Sequence, residues 1–147
     1  MAPITAIHRD DGTLEAVMGE HRLIVDVPES MGGKDRGPTS SDPFVASLGT
    51  CVAAFVAGYC ERAGFDTTGL SVDVSYEQAE EPTYLNELEV VINLPNAEVG
   101  DREEAIQRVA EHCPVHETVE YNLGIIDFEI RDRAKLAAGT GPPTGIA

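Results

Sequence analysis

Positive charge is what this 147-residue chain has least of. Ten lysines and arginines face 26 aspartates and glutamates, a formal net charge of −16. Only Lys34 and Lys135 are lysines. A surface this negative repels phosphate backbones and anionic headgroups, which argues against a nucleic-acid partner and against a polybasic membrane anchor. It is compatible with a salty cytoplasm. Cysteine is scarce as well: three residues cannot make a fully paired disulfide framework. Met1-Ala-Pro-Ile-Thr carries neither a basic nor an apolar leader segment. The expectation is therefore a protein of the reducing cytosol, where cysteines are fillers, catalytic groups or metal ligands. No internal repeat is present. Wholesale disorder is excluded, because 42% of the residues are hydrophobic and 24% charged, as in ordinary globular domains.

The pattern along the chain predicts a single domain over residues 1–133, with a disordered tail over 134–147 that is rich in Ala, Gly, Thr and Pro. Asp11-Gly12 is a hairpin signal. Leu14, Ala16 and Met18 alternate, as do Leu23, Val25 and Val27, so three short strands are expected before residue 28. Residues 28–41 hold the glycines, prolines and small polar residues of a long loop, long enough to suggest function.

From Pro43 to Cys60 no residue is charged. Asp42 or Ser41 can cap a helix there, Pro43 suits its first turn, and Gly64 can close it. Length alone would admit a membrane span. Ser47, Gly49, Thr50, Gly58 and several alanines dilute the large aliphatics, and a helix small or apolar all round is what the centre of a soluble core requires. A buried central helix is the reading.

Leu70, Val72, Val74 and Tyr76, then Leu88, Val90, Ile92 and Leu94, mark two strands joined by Ala79–Thr83. Asp101 and Glu104 resemble a capping box. Ile106, Val109, Ala110 and Cys113 form one helical stripe that Pro114 stops or kinks. Ile126, Phe128 and Ile130 suggest a last strand.

Cys51 shares a helical stripe with Leu48 and Phe55, and Cys113 ends the stripe of the second helix. Each faces the core on its own helix. Cys60 lies nine residues beyond Cys51, about 180° around at 100° per residue, and so cannot easily share its partner. Spacing alone leaves two readings open: three small apolar fillers, or a dithiol of Cys51 and Cys113 with Cys60 as bystander. A reactive Cys51 lies too deep in its helix for the N-terminal dipole to help. Its activating cation would have to come from Arg9, Arg22 or Arg36, each of which also fits a solvated surface position. Asp42 is either a helix cap or a residue that also orients such an arginine. His112 and His116 beside Cys113 do not make up a zinc ligand set; His116 suits closing a helix C-terminus or facing solvent.

Gly37-Pro-Thr-Ser-Ser-Asp-Pro-Phe-Val-Ala-Ser-Leu-Gly-Thr-Cys51 resembles the "G-x-x-P-x-E-L-L-x-A-x-x-x-C" approach to the first cysteine of the OsmC/Ohr family. Asp26, Pro28 and Gly32-Gly33 are similar to its "D-x-P … G-G" lead-in, and Cys113-Pro114-Val115-His116 to its "C-P-V-H". The order of elements matches over about residues 5–131. The resemblance implies an α+β fold in which antiparallel sheet wraps around a long buried helix. It implies an intertwined homodimer with two sites at the subunit interface and thiol-dependent reduction of organic hydroperoxides. Cys51 would be the peroxidatic cysteine and Cys113 the resolving one, with no cofactor, no metal and a dithiol as reductant. Where the hydroperoxide branch carries glutamate, ten residues before the first cysteine, this chain has Ser41, with Asp42 one residue later; Ser40 replaces a proline. Arg9 and Arg36 each resemble the activating arginine of a different branch. A second function class therefore stands beside the peroxidase: a non-catalytic or redox-sensing relative that binds an apolar ligand at the dimer interface.

Overall fold

The structure, a computed structural model, describes residues 3–121 and 128–132. Its first element is a three-stranded antiparallel sheet in the order β1 (Thr5–His8), β2 (Leu14–Met18), β3 (His21–Val25). The β1–β2 turn forms where Asp11-Gly12 predicts it. Asp11 Oδ1 accepts hydrogen bonds from the Thr13 N–H at 3.0 Å and hydroxyl at 2.6 Å, and Gly12 takes φ +87°, a left-handed conformation that suits glycine.

The loop after β3 is organised by one carboxylate. Asp26 Oδ1 accepts the Val27 N–H at 2.9 Å, and Oδ2 accepts the Lys34 N–H, the Arg36 N–H and Arg36 Nε at 3.1–3.2 Å. The Arg36 guanidinium continues to Asp11, reaching its carboxylate at 3.0 Å and its carbonyl at 2.9 Å. The loop is thereby folded back on β3 and clipped to the first turn. A Cβ on Gly33 would run into the Val27 carbonyl oxygen, and one on Gly37 into that of Ile24, so close backbone approach requires glycine at both.

Helix α1 (Ser41–Ala63) is 23 residues long. Neither Asp42 nor Ser41 caps it as expected. The helix begins two residues before Pro43, at Ser41, and Asp42 Oδ2 instead reaches back to accept the Thr39 N–H at 2.8 Å and hydroxyl at 2.9 Å. Gly64 ends α1 in the left-handed region, at φ +82°, as predicted.

Strands β4 (Ser71–Glu80) and β5 (Thr83–Asn93) form a separate antiparallel pair with Val72 opposite Ile92 and Val74 opposite Val90. Both strands run longer than the hydropathy pattern indicates, so Glu81-Pro82 alone connects them. Helix α2 (Glu103–Glu111) follows a 3-10 turn over Gly100–Arg102. The capping box of Asp101 and Glu104 does not form, because that turn displaces the helix start to Glu103 and no side chain caps it. Helix α3 (Pro114–Tyr121) begins at the proline expected to break α2. Phe128 and Ile130 lie in no strand and are 90% and 78% exposed. Ile126 and the tail over 134–147 fall outside the described residues.

The core lies where α1 meets β4, α2 and α3. Val45, Leu48, Gly49, Val52, Val56 and Cys60 recur every three or four residues along one face of α1 and are buried. Full burial of a side chain such as Val52 or Val56 contributes about 1.5–3 kcal/mol. Gly49 lets the helix close on β4; a Cβ there would sit 3.2 Å from Val74 Cγ2. The opposite face of α1 departs from the expectation of all-round burial. Phe44 and Phe55 are 43% and 41% exposed, and Ser47 and Thr50 turn their hydroxyls back onto helix carbonyls.

The Asp26 clip has a pH signature. The Val27 N–H and then the Arg36 N–H hold the Asp26 carboxyl down to about 2, from an ordinary 3.8. In the folded chain Asp26 stays ionised at pH values where the unfolded chain has taken up the proton. Its contribution is complete above about pH 4 and disappears as the pH falls towards 2. Thermal melts of Asp26→Asn are expected to show a shallower fall in Tm over that window than the unaltered chain. Parallel acid limbs would contradict the assignment.

Candidate active site

The long uncharged run of α1 carries Cys51 to the part of the helix that packs on α2 and α3. Cys113 stands in the two-residue joint between those helices and is fully buried. The two thiols are neighbours: Cys51 packs against the apolar cluster that holds Cys113 and lies close enough to bear on its thiol. Sixty-one residues of intervening chain thus separate two sulfurs that the fold brings together. Cys60, on the buried face near the end of α1, sits in the same apolar cluster; burial pushes its thiol up, and it remains a filler.

Cys113 owes its environment to Pro114. Proline at the first position of α3 leaves Cys113 as the residue before the helix, with its side chain over the free N–H groups of the first turn. Cys113 Sγ accepts the His116 N–H at 3.2 Å, as a serine or aspartate cap oxygen would. Burial pushes the Cys113 thiol up and the neighbouring Cys51 adds to this, while the His116 and Val115 N–H groups pull it down; the net direction is up. Cys113 rests as a protonated thiol.

The His116 ring closes the end of α2, one of the two roles its position suggested. Its Nδ1 lies 2.9 Å from the Glu111 carbonyl oxygen, which only accepts, so Nδ1 carries the hydrogen. Glu120 approaches the same nitrogen at 3.6 Å, and His112 faces Glu117 at 3.6 Å. The ring therefore straps α2 to α3 across the joint that carries Cys113.

The arginines lie elsewhere. Arg36 spends its Nε and both terminal nitrogens on Asp26 and Asp11, and Arg9 pairs with Glu15 at 3.2 Å. Arg22 reaches Glu15 at 3.6 Å. All three belong to the N-terminal sheet and its loop, which pack closely on no helix of their own chain among the described residues. Asp42 is held by Thr39 and faces the Tyr76 hydroxyl at 3.5 Å; it orients no arginine in this arrangement. The structure thus brings Cys51 and Cys113 together, and places Arg9, Arg36 and Asp42 apart from them within the chain.

An apolar cleft of about 670 Å³ opens between β5 and α2, lined by Leu88, Val90, Ile92, Val99 and Ile106 with His116 at its edge. Neither Cys51 nor Cys113 lines it. Two features of the site escaped the reading of residue types. One is Asp26, the hub of the loop, which the Asp26–Pro28–Gly32–Gly33 spacing signals. The other is the backbone donor of His116, which a Cys-Pro step at a helix start signals.

The family model described as OsmC-like protein matches residues 32–126, and the chain belongs to that family. Its fold is shared by solved structures of low identity. An osmotic stress induced and detoxification response protein from Psychrobacter arcticus 273-4 superposes with a TM-score of 0.71 at 19% identity, over 80% of this chain and 88% of that one. An OsmC like protein from Mycoplasma pneumoniae gives 0.65 at 22%, over 80% and 86%. The organic hydroperoxide resistance protein OhrB of Bacillus subtilis gives 0.58 at 17%, over 83% and 92%. No curated protein matches significantly.

The three cysteines differ enough in burial to be told apart chemically. In the native, reduced protein, iodoacetamide is expected to label half-buried Cys51 at least tenfold faster than Cys113 or Cys60, by peptide mass mapping. Equal labelling of Cys60 or Cys113 would contradict the burial described.

Proposed function

We propose that this chain is a thiol-dependent peroxidase that reduces organic hydroperoxides to alcohols in a reducing cytosol. The observation that carries the reading is that Cys51 packs against the apolar cluster holding Cys113, close enough to bear on its thiol. The Cys51 thiolate attacks the O–O bond of ROOH; the bond breaks, alkoxide leaves and takes a proton as ROH, and Cys51 becomes a sulfenic acid. Cys113 gives up its proton and attacks the Cys51 sulfur. Hydroxide departs as water and a Cys51–Cys113 disulfide remains. A dithiol of the cell returns both cysteines to thiols. No metal or cofactor enters the sequence.

The working unit is an intertwined homodimer. The uncovered face of α1 supports this, with Phe44 and Phe55 half exposed along an uncharged helix. So does the N-terminal sheet, which leaves Ile7, Leu14 and Met18 partly exposed and, among the described residues, makes no extensive contact with a helix. Laid over the partner's α1, that sheet and its loop bring Arg9 or Arg36 towards Cys51 and complete the cation that one chain does not provide. The guanidinium favours the thiolate, and Asp42 holds the arginine in place.

The apolar cleft beside β5 favours a second reading, a redox-sensing or non-catalytic relative that binds an apolar ligand at the dimer interface. Turnover separates the two. Cys51→Ser is expected to reduce consumption of an alkyl hydroperoxide, with dithiothreitol as reductant, by a factor of 10³ or more. Cys113→Ser is expected to retain the first oxidation and then accumulate sulfinic acid. Undiminished turnover in Cys51→Ser would remove the peroxidase reading. Sedimentation equilibrium is expected to give twice the 15.7 kDa chain mass; a monomer at micromolar concentration would remove the interface site.

A further inference from the structure

The two sulfurs of the pair are unequal in ways that bear on how a disulfide between them is reopened. Cys51 is half-buried on α1, on the side the hydroperoxide must reach in the proposed reaction. Cys113 is 0% exposed within a single chain, and a partner subunit can only bury it further. Cys113 also sits on the first turn of α3 with the His116 N–H aimed at its sulfur from 3.2 Å. Cys51 lies mid-helix, where the neighbouring backbone N–H groups are spent on the helix itself.

Thiol–disulfide exchange runs fastest when the attacked sulfur is accessible and the departing sulfur is stabilised as thiolate. Both conditions select the same direction. We propose that the reducing dithiol attacks Cys51 and expels Cys113, so that His116, through its backbone N–H, is the positioning residue of the leaving thiolate. The inference rests on the disulfide of the proposed peroxidase cycle. One thiolate of the dithiol forms a bond to Cys51 Sγ. The Sγ–Sγ bond breaks, and its electron pair stays on Cys113, which then takes a proton. The second thiol of the reductant attacks the reductant's own sulfur in the mixed disulfide. Cys51 leaves as thiolate, and the reductant departs as a cyclic or intramolecular disulfide. Burial works against charge on Cys113; the His116 N–H offsets this at the moment the sulfur departs, and Pro114 fixes the donor by starting α3 one residue away.

The joint makes the direction a property of chain geometry. His116 Nδ1 binds the Glu111 carbonyl at 2.9 Å and so keeps α2 and α3 in the register that aims its N–H at the sulfur. A His116→Ala chain retains the backbone donor but loses this strap. A His116→Pro chain loses both, and proline is tolerated in a first helical turn.

The test forms the disulfide with diamide, which does not depend on peroxidase activity. The oxidised protein is exposed briefly to glutathione, quenched in acid, and alkylated with iodoacetamide before peptide mapping. Glutathione on Cys51 with alkylated Cys113, in at least tenfold excess over the reverse, is the expected result. Glutathione on Cys113, or equal amounts on both, would overturn the inference. In parallel, dithiothreitol is expected to reduce oxidised His116→Pro at least fivefold more slowly than oxidised His116→Ala; equal reduction rates would likewise overturn it. A diamide disulfide with the expected adduct, in a chain that alkyl hydroperoxide leaves untouched, would remove the peroxidase reading and leave the direction of exchange standing.

Discussion

The packing of α1 across the joint between α2 and α3 is the contact on which the rest of the molecule depends. It is made by ordinary apolar burial, Leu48, Val52 and Val56 against Ile106 and Ala110. Its consequence is chemical, because Cys51 and Cys113 ride on the same surfaces. Loop closure over so long a stretch grows only slowly in cost with length, so a modest apolar cluster suffices to hold the two sulfurs together. Gly49 on α1 and Pro114 at the start of α3 set how closely and at what angle the elements meet.

A second level of organisation belongs to the N-terminal third. Asp26 gathers four N–H donors and, through Arg36, ties the loop to the Asp11 turn. This unit is tied together by its own side chains, and among the described residues its strands make no extensive contact with a helix. On the function proposed above, this arm rests on the partner's α1, the bare face of α1 gains a covering surface, and the guanidinium groups of the arm would supply the cation for Cys51.

Much of this was legible in the residues. The period-two alternation of β4 and β5, the Asp11-Gly12 turn, the uncharged helix closed by Gly64 and the break at Pro114 each follow from local rules, and each is found. What sequence could not place was decided by competition between local options. Asp42 accepts from the Thr39 N–H and hydroxyl, behind the helix start, and so caps no N–H of α1. A 3-10 turn over Gly100–Arg102 displaced the capping box at Asp101. The three arginines offered for Cys51 found carboxylates closer to hand in their own sheet and its loop, which pattern alone does not reveal. Burial of α1 was overestimated because an uncharged face reads the same whether its own chain or another covers it. The pairing of the cysteines came from the resemblance to the OsmC/Ohr family, since spacing left it open.

The chemistry proposed for Cys51 and Cys113 requires a single peroxide to oxidise both sulfurs to one disulfide. Intact-mass measurement during titration with an alkyl hydroperoxide addresses this most directly. One equivalent per chain is expected to remove two hydrogens, with the new bond mapping to Cys51 and Cys113. A chain whose mass is unchanged at modest excess, or that gains oxygen on Cys51 while Cys113 stays a thiol, would contradict it.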